Sequence, residues 1–222
     1  MILMELTSTN IKAMLNEHDL EGGNRINQSL TKLFQNLNDE QNRYEVMIKV
    51  AALNQIYSTA IQYITPVVDK IIQCIDQDHT KFSIERYSSL VDEIATISWK
   101  SATTGKSHTR TNLSFSSKYV HFLSDRKIPI YDSYIWILLV GYNHQAGLNL
   151  YNFSPPKSYE EFFKVFNSFR SNQKLDHITY YDLDKCLWQY GKNLLTQIIE
   201  EENVSMEKSK SILKKRLTSV SM

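Results

Sequence analysis

Glycine and proline are scarce, 6 and 4 in 222 residues. An all-β fold needs many tight turns, and this chain has little material for them, so helices are the expectation. Cysteine is scarcer still. Cys74 and Cys186 lie far apart and form no CxxC pair. That argues against a zinc site or an iron–sulfur cluster built from this chain's cysteines, and two free thiols in a reducing compartment is the favoured reading. No metal and no cofactor is called for. An excess of one charge is also lacking: 25 Lys and Arg stand against 24 Asp and Glu, a net charge of +1. No global basic field announces a nucleic-acid partner. Long apolar runs are missing too. The longest, Tyr134 to Tyr142, is far too short to span a bilayer, and MILMELTSTN has neither a basic start nor an apolar stretch of signal-peptide length. The expectation is a cytoplasmic protein with no membrane partner.

What is present is helical periodicity. The chain is 42% hydrophobic, ordinary for a globular protein, and long enough to bury a sizeable core. Thr7-Ser8-Thr9-Asn10 offers capping chemistry before Ile11, Met14 and Leu15. A second helix is expected over about 24–36, and a long one over about 40–64, with Val46, Val50, Leu53, Ile56, Ala60 and Ile61 close to a 3.6 period. Pro66 fits the first turn of the next helix, and Ser83 opens another that carries Leu90, Val91, Ile94 and Ile97. WKSATTGKSHTRTN, 99–112, loses the pattern and reads as a loop. Helices then follow at about 115–123 and 132–142, the second frayed by Gly141 and Gly147. Beyond Pro155-Pro156 come an aromatic helix with Phe162, Phe166 and Phe169, and one started by Asp182-Leu183-Asp184. No strand alternation stands out. The expected class is all-α with nine or ten helices: one domain over 1–199, lobe boundaries near 99–112 and 155–156, and a charged, solvated helix or tail over 200–222.

Charge is uneven locally. Between Lys100 and Pro129 there are six Lys or Arg and one acid, Asp125. Such a segment can neutralise a few phosphates, although a solvated basic loop explains it equally well. Within it, Lys118 stands among Phe115, Val120, Phe122 and Leu123. An ammonium held against apolar surface loses solvation and its pKa falls, and a neutral amine is a nucleophile toward a carbonyl or a sugar C1′. On pattern alone, a lysine that lays its stem on apolar surface and its head in water is the commoner arrangement. Asp132 follows Pro129 where a helix N-cap belongs. Capping would keep its carboxylate ionised and aimed, which suits stabilisation of a developing cation as well.

SSKYVHFLSDRKIPIYDSYIWILL resembles the lysine–hairpin–aspartate region of helix-hairpin-helix DNA glycosylases, specifically the 8-oxoguanine DNA glycosylase branch. It is closer still to bacterial proteins described as having that fold, which are often linked to antiphage defence gene clusters. SWKSA upstream, VAALNQIYST in the long helix and LDKCLWQYGK downstream belong to the same ordered pattern, spanning roughly residues 45–195. The resemblance implies a two-lobed helical fold with a cleft between the lobes, and a bifunctional glycosylase and lyase. A base would be flipped from the duplex. Lys118 would attack C1′ and form a Schiff base, and Asp132 would stabilise the cationic sugar. Trp99, Phe122 and Trp136 would line the base pocket.

The sequence departs from that family in two respects. The stretch corresponding to the glycine-rich hairpin, 111–117, contains no glycine, and Asp132 follows Lys118 by 14 residues, a shorter interval than in typical members. Phosphate contact then falls to Lys100, Lys106 and Arg110, with Ser114 and Ser116 nearby. The substrate class widens to RNA, a free nucleoside or single-stranded DNA. Two other functions fit the same residues: a catalytically silent nucleic-acid-binding module, and an interaction subunit of a defence complex with a protein partner.

Overall fold

A computed structural model describes residues 1–75, 78–100 and 103–218. Ten α-helices follow one another: α1 Ser8–Leu20, α2 Gly23–Asn36, α3 Arg43–Tyr57, α4 Ile64–Cys74, α5 Ile84–Ala95, α6 Leu113–Leu123, α7 Ser133–Gln145, α8 Tyr159–Asn172, α9 Tyr180–Glu202 and α10 Met206–Thr218. One 3₁₀ turn, His79–Lys81, precedes α5, and two strands, β1 Thr96–Lys100 and β2 Ser107–Thr111, separate α5 from α6. Among the described residues the fold is mainly helical, and no helix is long and apolar enough to cross a membrane.

The chain divides into two compact units. One, the ribbon unit, comprises Asn24–Tyr131 with Ser158–Glu160; the other, the terminal unit, comprises Met1–Gly23, Asp132–Lys157 and Glu161–Met222.

In the ribbon unit α3 packs on α4 and α6, and α5 packs on α4 and α6. The core is the set of apolar residues that helical spacing brings to the inner faces: Val46, Val50 and Leu53 of α3, Val68 and Ile71 of α4, Leu90 and Ile94 of α5, Phe115 and Val120 of α6. Caps fix the starts. Asn42, Ser83 and Asn112 each accept a backbone N–H from the first turn of α3, α5 and α6. Helix α3 ends at Tyr57, well before the expected 64, because Ser58 takes a left-handed conformation with φ 48°. The apolar period runs on through Ala60 and Ile61, but Asn54 offers the backbone a better partner. Its amide oxygen accepts the Ile61 N–H at 2.9 Å and its amide nitrogen donates to the Ile61 carbonyl at 3.0 Å, which closes a loop instead of another turn.

The expected loop at 99–112 is instead an antiparallel ribbon. Thr96 pairs with Thr111, Ser98 with Thr109, Trp99 with His108 and Ile97 with Arg110. Only β1 alternates polar with apolar, Thr96-Ile97-Ser98-Trp99-Lys100, and for five residues; β2, Ser107-His108-Thr109-Arg110-Thr111, carries no apolar residue. One face carries hydroxyls, with Thr96 against Thr111 at 3.3 Å and Ser98 against Thr109 at 2.9 Å. The other carries Ile97, Trp99, His108 and Arg110. Every residue of β2 is exposed, so nothing writes hydrophobic alternation into that strand.

The terminal unit is organised on α9, which contacts α1, α7 and α10. Its Gly191 lets α9 lie close to α7: a Cβ there would stand 2.9 Å from the Tyr134 Cβ. Gly141 does not fray α7 as expected. It lies inside the helix, where a Cβ would stand 2.8 Å from Leu217 Cδ1. The charged segment expected as a helix or tail over 200–222 holds the end of α9 and the helix α10, which is not solvated all round: Leu213 and Leu217 are buried, and α10 packs on α7 and α9.

Candidate functional site

Lys118 belongs to the second turn of α6, a helix buried from Phe115 to Leu123. The lysine is only 5% exposed. Its Nζ donates to the Ser114 Oγ at 2.6 Å and reaches the Ser114 carbonyl at 3.4 Å, one helical turn back. The same atom stands 5.2 Å from the centre of the Tyr57 ring, a cation–π distance. The head group is therefore held by the helix's own first turn and by the last residue of α3, rather than swinging in solvent. Tyr57, in turn, donates its hydroxyl to the Asn27 Oδ1 at 3.2 Å.

The start of α6 is tied to the loop after α3. Asn112 caps α6 through its Oδ1, which accepts the Phe115 N–H at 3.0 Å. Its Nδ2 donates to the Thr59 carbonyl at 2.8 Å. Arg110 holds the next carbonyl, of Ala60, at 2.8 Å. Ser58 and Ala60 both have positive φ, 48° and 57°. An alanine there is strained by about 1 kcal/mol or more, and these side-chain clamps hold it. Beyond the loop, Tyr63, Trp99, Arg110, Asn112, Ile61 and Gln62 help line a shallow cleft. Trp99 stacks on His108 at 5.5 Å between ring centres and 21° between planes, and lies 5.5 Å from Tyr63 at 44°.

Beneath α6 runs a buried ionic knot that sequence reading missed. Lys49 is fully buried, donates to Glu40 and donates to the Leu37 carbonyl at 3.0 Å. Glu40 also accepts the Tyr119 hydroxyl. The Lys49 ammonium lies 5.4 Å from the Phe34 ring centre. Burial, then the Glu40 charge, pushes the Tyr119 phenol well above its ordinary pKa. The charge on each partner is met inside the knot, which is the condition for keeping a buried ion pair.

The expected site residues do not gather in one place. Lys118 and Ser114 lie together, and Arg110 shares the ribbon cleft with Trp99. Lys100 and Lys106 are exposed at the turn end of the ribbon, away from α5 and α6. Ser116 is corrected as a phosphate ligand: it is fully buried and its hydroxyl donates to the Asn112 carbonyl at 3.1 Å. Phe122 lies in the ribbon-unit core against Phe34, 5.7 Å between ring centres. In the terminal unit, Trp136 is buried with its Nε1 donating to the Ser154 carbonyl at 2.7 Å, and Asp132 caps α7 by accepting the Tyr134 N–H at 2.8 Å. Burial in these cores takes Phe122 and Trp136 away from the surface a base could reach. Tyr57 joins Lys118 and Ser114, and Tyr63 and His108 join Trp99 and Arg110. In the sequence Tyr57 reads as a core contact of the long helix that could also turn its hydroxyl into a cleft, and nothing marks Tyr63.

His121, one turn from Lys118, is buried, with its Nδ1 2.6 Å from the Ile128 carbonyl. Burial, with the Arg126 and Lys118 charges, pushes its imidazole down to about 4. It is neutral at pH 7 and ties the end of α6 to the following segment. Among the described residues, no group of three or more His, Cys, Asp or Glu side chains is placed to hold a metal ion.

Comparison with curated proteins and with solved structures gives no match. A scan against protein-family models matches residues 9–127 to HI_0787_N, described as an N-terminal domain. The matched span holds Lys118, Tyr57, the buried Lys49 knot and the whole ribbon, whereas Asp132 and Trp136 lie beyond it. Since the match covers more than half of its length, the chain belongs to the HI_0787_N family.

Proposed function

We propose that this protein cleaves a base–sugar bond in a damaged or modified nucleic acid, with Lys118 as the nucleophile. The observation that carries the reading is the lysine's setting: a nearly buried amine, fixed by Ser114 and the Tyr57 ring on a helix that begins where a cationic ribbon ends. A positioned lysine outside bulk water is what covalent amine catalysis requires. In the step proposed, the Lys118 lone pair bonds to C1′ as the glycosidic bond breaks, and its electron pair leaves with the base, which takes up a proton. Opening of the sugar ring gives the imine. Loss of a C2′ proton then expels the 3′ phosphate. The reading stands on the ribbon unit alone and needs no partnership with Asp132.

Borohydride trapping tests it. Incubation with an oligonucleotide carrying an abasic site, single-stranded or duplex, should give a covalent adduct that Lys118→Gln abolishes. No adduct from the intact chain, or an undiminished one from the variant, would remove the lysine mechanism. A second reading, a catalytically silent nucleic-acid-binding module, is favoured by the exposed ribbon, which carries Lys100, Lys106 and Arg110 and no acid between 96 and 111. It expects salt-dependent binding that Lys106→Ala and Arg110→Ala weaken, with no adduct on any substrate.

A further inference from the structure

We infer that the aromatic surface formed by Trp99 and His108 of the ribbon with Tyr63, at the start of α4, is a stacking site for an unpaired base of single-stranded nucleic acid. This deepens the proposed function and rests on nucleic acid being the substrate, but not on the chemistry of Lys118. Three observations converge. First, the rings form a continuous ladder, with Trp99 5.5 Å from His108 on one side and 5.5 Å from Tyr63 on the other. Tyr63, at one end, is 58% exposed, and His108 at the other end is exposed as well, so the ladder offers further aromatic faces to solvent. Second, the ribbon's own charge is of one sign. Arg110 shares the face of Trp99 and His108, Lys100 lies on the other face, Lys106 immediately precedes β2, and no acid occurs from 96 to 111. Third, the loop that leads to Tyr63 is strained at Ala60 and held in that shape by Arg110 and Asn112, both of which line the same cleft. Backbone strain kept in place by side-chain clamps is characteristic of sites that must be preformed.

The chemistry selects the occupant. Exposed aromatic faces beside cations match a π-face attached to a phosphate chain. In a duplex each internal base is already stacked on both sides, so only an unpaired base can add a rung to the ladder. The hydroxyl face of the ribbon and the Lys100–Ser107 pair supply donors and charge on the opposite side, suited to a backbone running past rather than to reading base edges.

The test is fluorescence anisotropy of a labelled oligothymidine strand and of a duplex of equal length, with the full chain at fixed low salt. The single strand should bind more tightly than the duplex. Trp99→Ala and Tyr63→Ala should each weaken single-strand binding at least about fivefold, the lower bound for loss of one stacked ring, whereas Tyr63→Phe should retain it. Circular dichroism checks folding. Tyr63 is exposed enough that its variants serve even where Trp99→Ala does not fold. Equal or tighter binding to the duplex, unchanged affinity in folded Trp99→Ala and Tyr63→Ala, or no binding to either nucleic acid would overturn the assignment. Trapping and strand binding, measured side by side, separate the two proposals. Retained single-strand binding with no trapping in the intact chain sinks the lysine chemistry and leaves the stacking site. Normal trapping and normal single-strand affinity in Tyr63→Ala do the reverse.

Discussion

Acidification should unfold this protein through one histidine more than through any surface charge. His121 is 1% exposed, lies edge-on to Phe122 with 5.1 Å between ring centres, and sits 2.6 Å from the Ile128 carbonyl. Its pKa is pushed from 6.5 down to about 4, first by burial, then by the Arg126 and Lys118 charges, against the opposing effect of the Ile128 carbonyl. The unfolded chain therefore binds a proton here that the folded chain refuses over the window between those values. The sign follows: stability is fully present above pH 6.5 and is lost as pH falls toward 4. At ~1.4 kcal/mol per pKa unit the full loss is about 3 kcal/mol, and about 2 kcal/mol of it is reached by pH 5. Urea unfolding of wild type and His121→Gln at pH 7.5 and pH 5 isolates the effect. A glutamine amide can still donate to Ile128 but does not titrate. His18 and His79, which burial also lowers, remain in both chains and cancel in the difference. Wild type should lose about 2 kcal/mol more than the variant. Equal losses, or an NMR titration placing the His121 ring near 6.5, would refute the reasoning.

The ionic knot and the close approach of α9 to α7 give two further expectations. Lys49→Met should destabilise by about 3–5 kcal/mol in urea melts, because it strands the buried Glu40 carboxylate. Adding Glu40→Gln should recover part of that, and a double variant no better than the single would refute the pairing. Gly191→Ala should cost about 1–3 kcal/mol, since its Cβ would stand 2.9 Å from the Tyr134 Cβ; an unchanged melting temperature would show that α7 and α9 separate freely.

Local chemistry was legible and long-range chemistry was not. Asp132 as a cap, Ser83 as a cap and the break after Asn36 are written within three or four residues of where they act, so the sequence displays them directly. The end of α3 was misread because apolar spacing persists past Ser58 while one side chain, Asn54, redirects the backbone. The ribbon escapes a pattern reading because the alternation of β1 lasts only five residues and its partner β2 is polar and exposed throughout. The Lys49 knot joins Glu40 to Tyr119 across 79 residues, and no periodicity reports a contact at that distance. Lys118 could be named from its apolar neighbours, but its cradle depends on Tyr57 from another helix, and Ser116 looked available only because α6 was not expected to be buried on all sides.

The division of the chain has a consequence for entropy. The terminal unit joins α1 to α9 through contacts such as Lys185 with Asp19, 166 residues apart, and the ribbon unit occupies most of that interval. Closing a loop costs free energy only as the logarithm of its length, about 0.6 kcal/mol for each doubling. The long detour through the ribbon unit therefore takes little from the stability of the helices that it separates. What the detour changes is the distance along the chain over which those helices must meet, so the terminal unit is the part of this protein with high contact order.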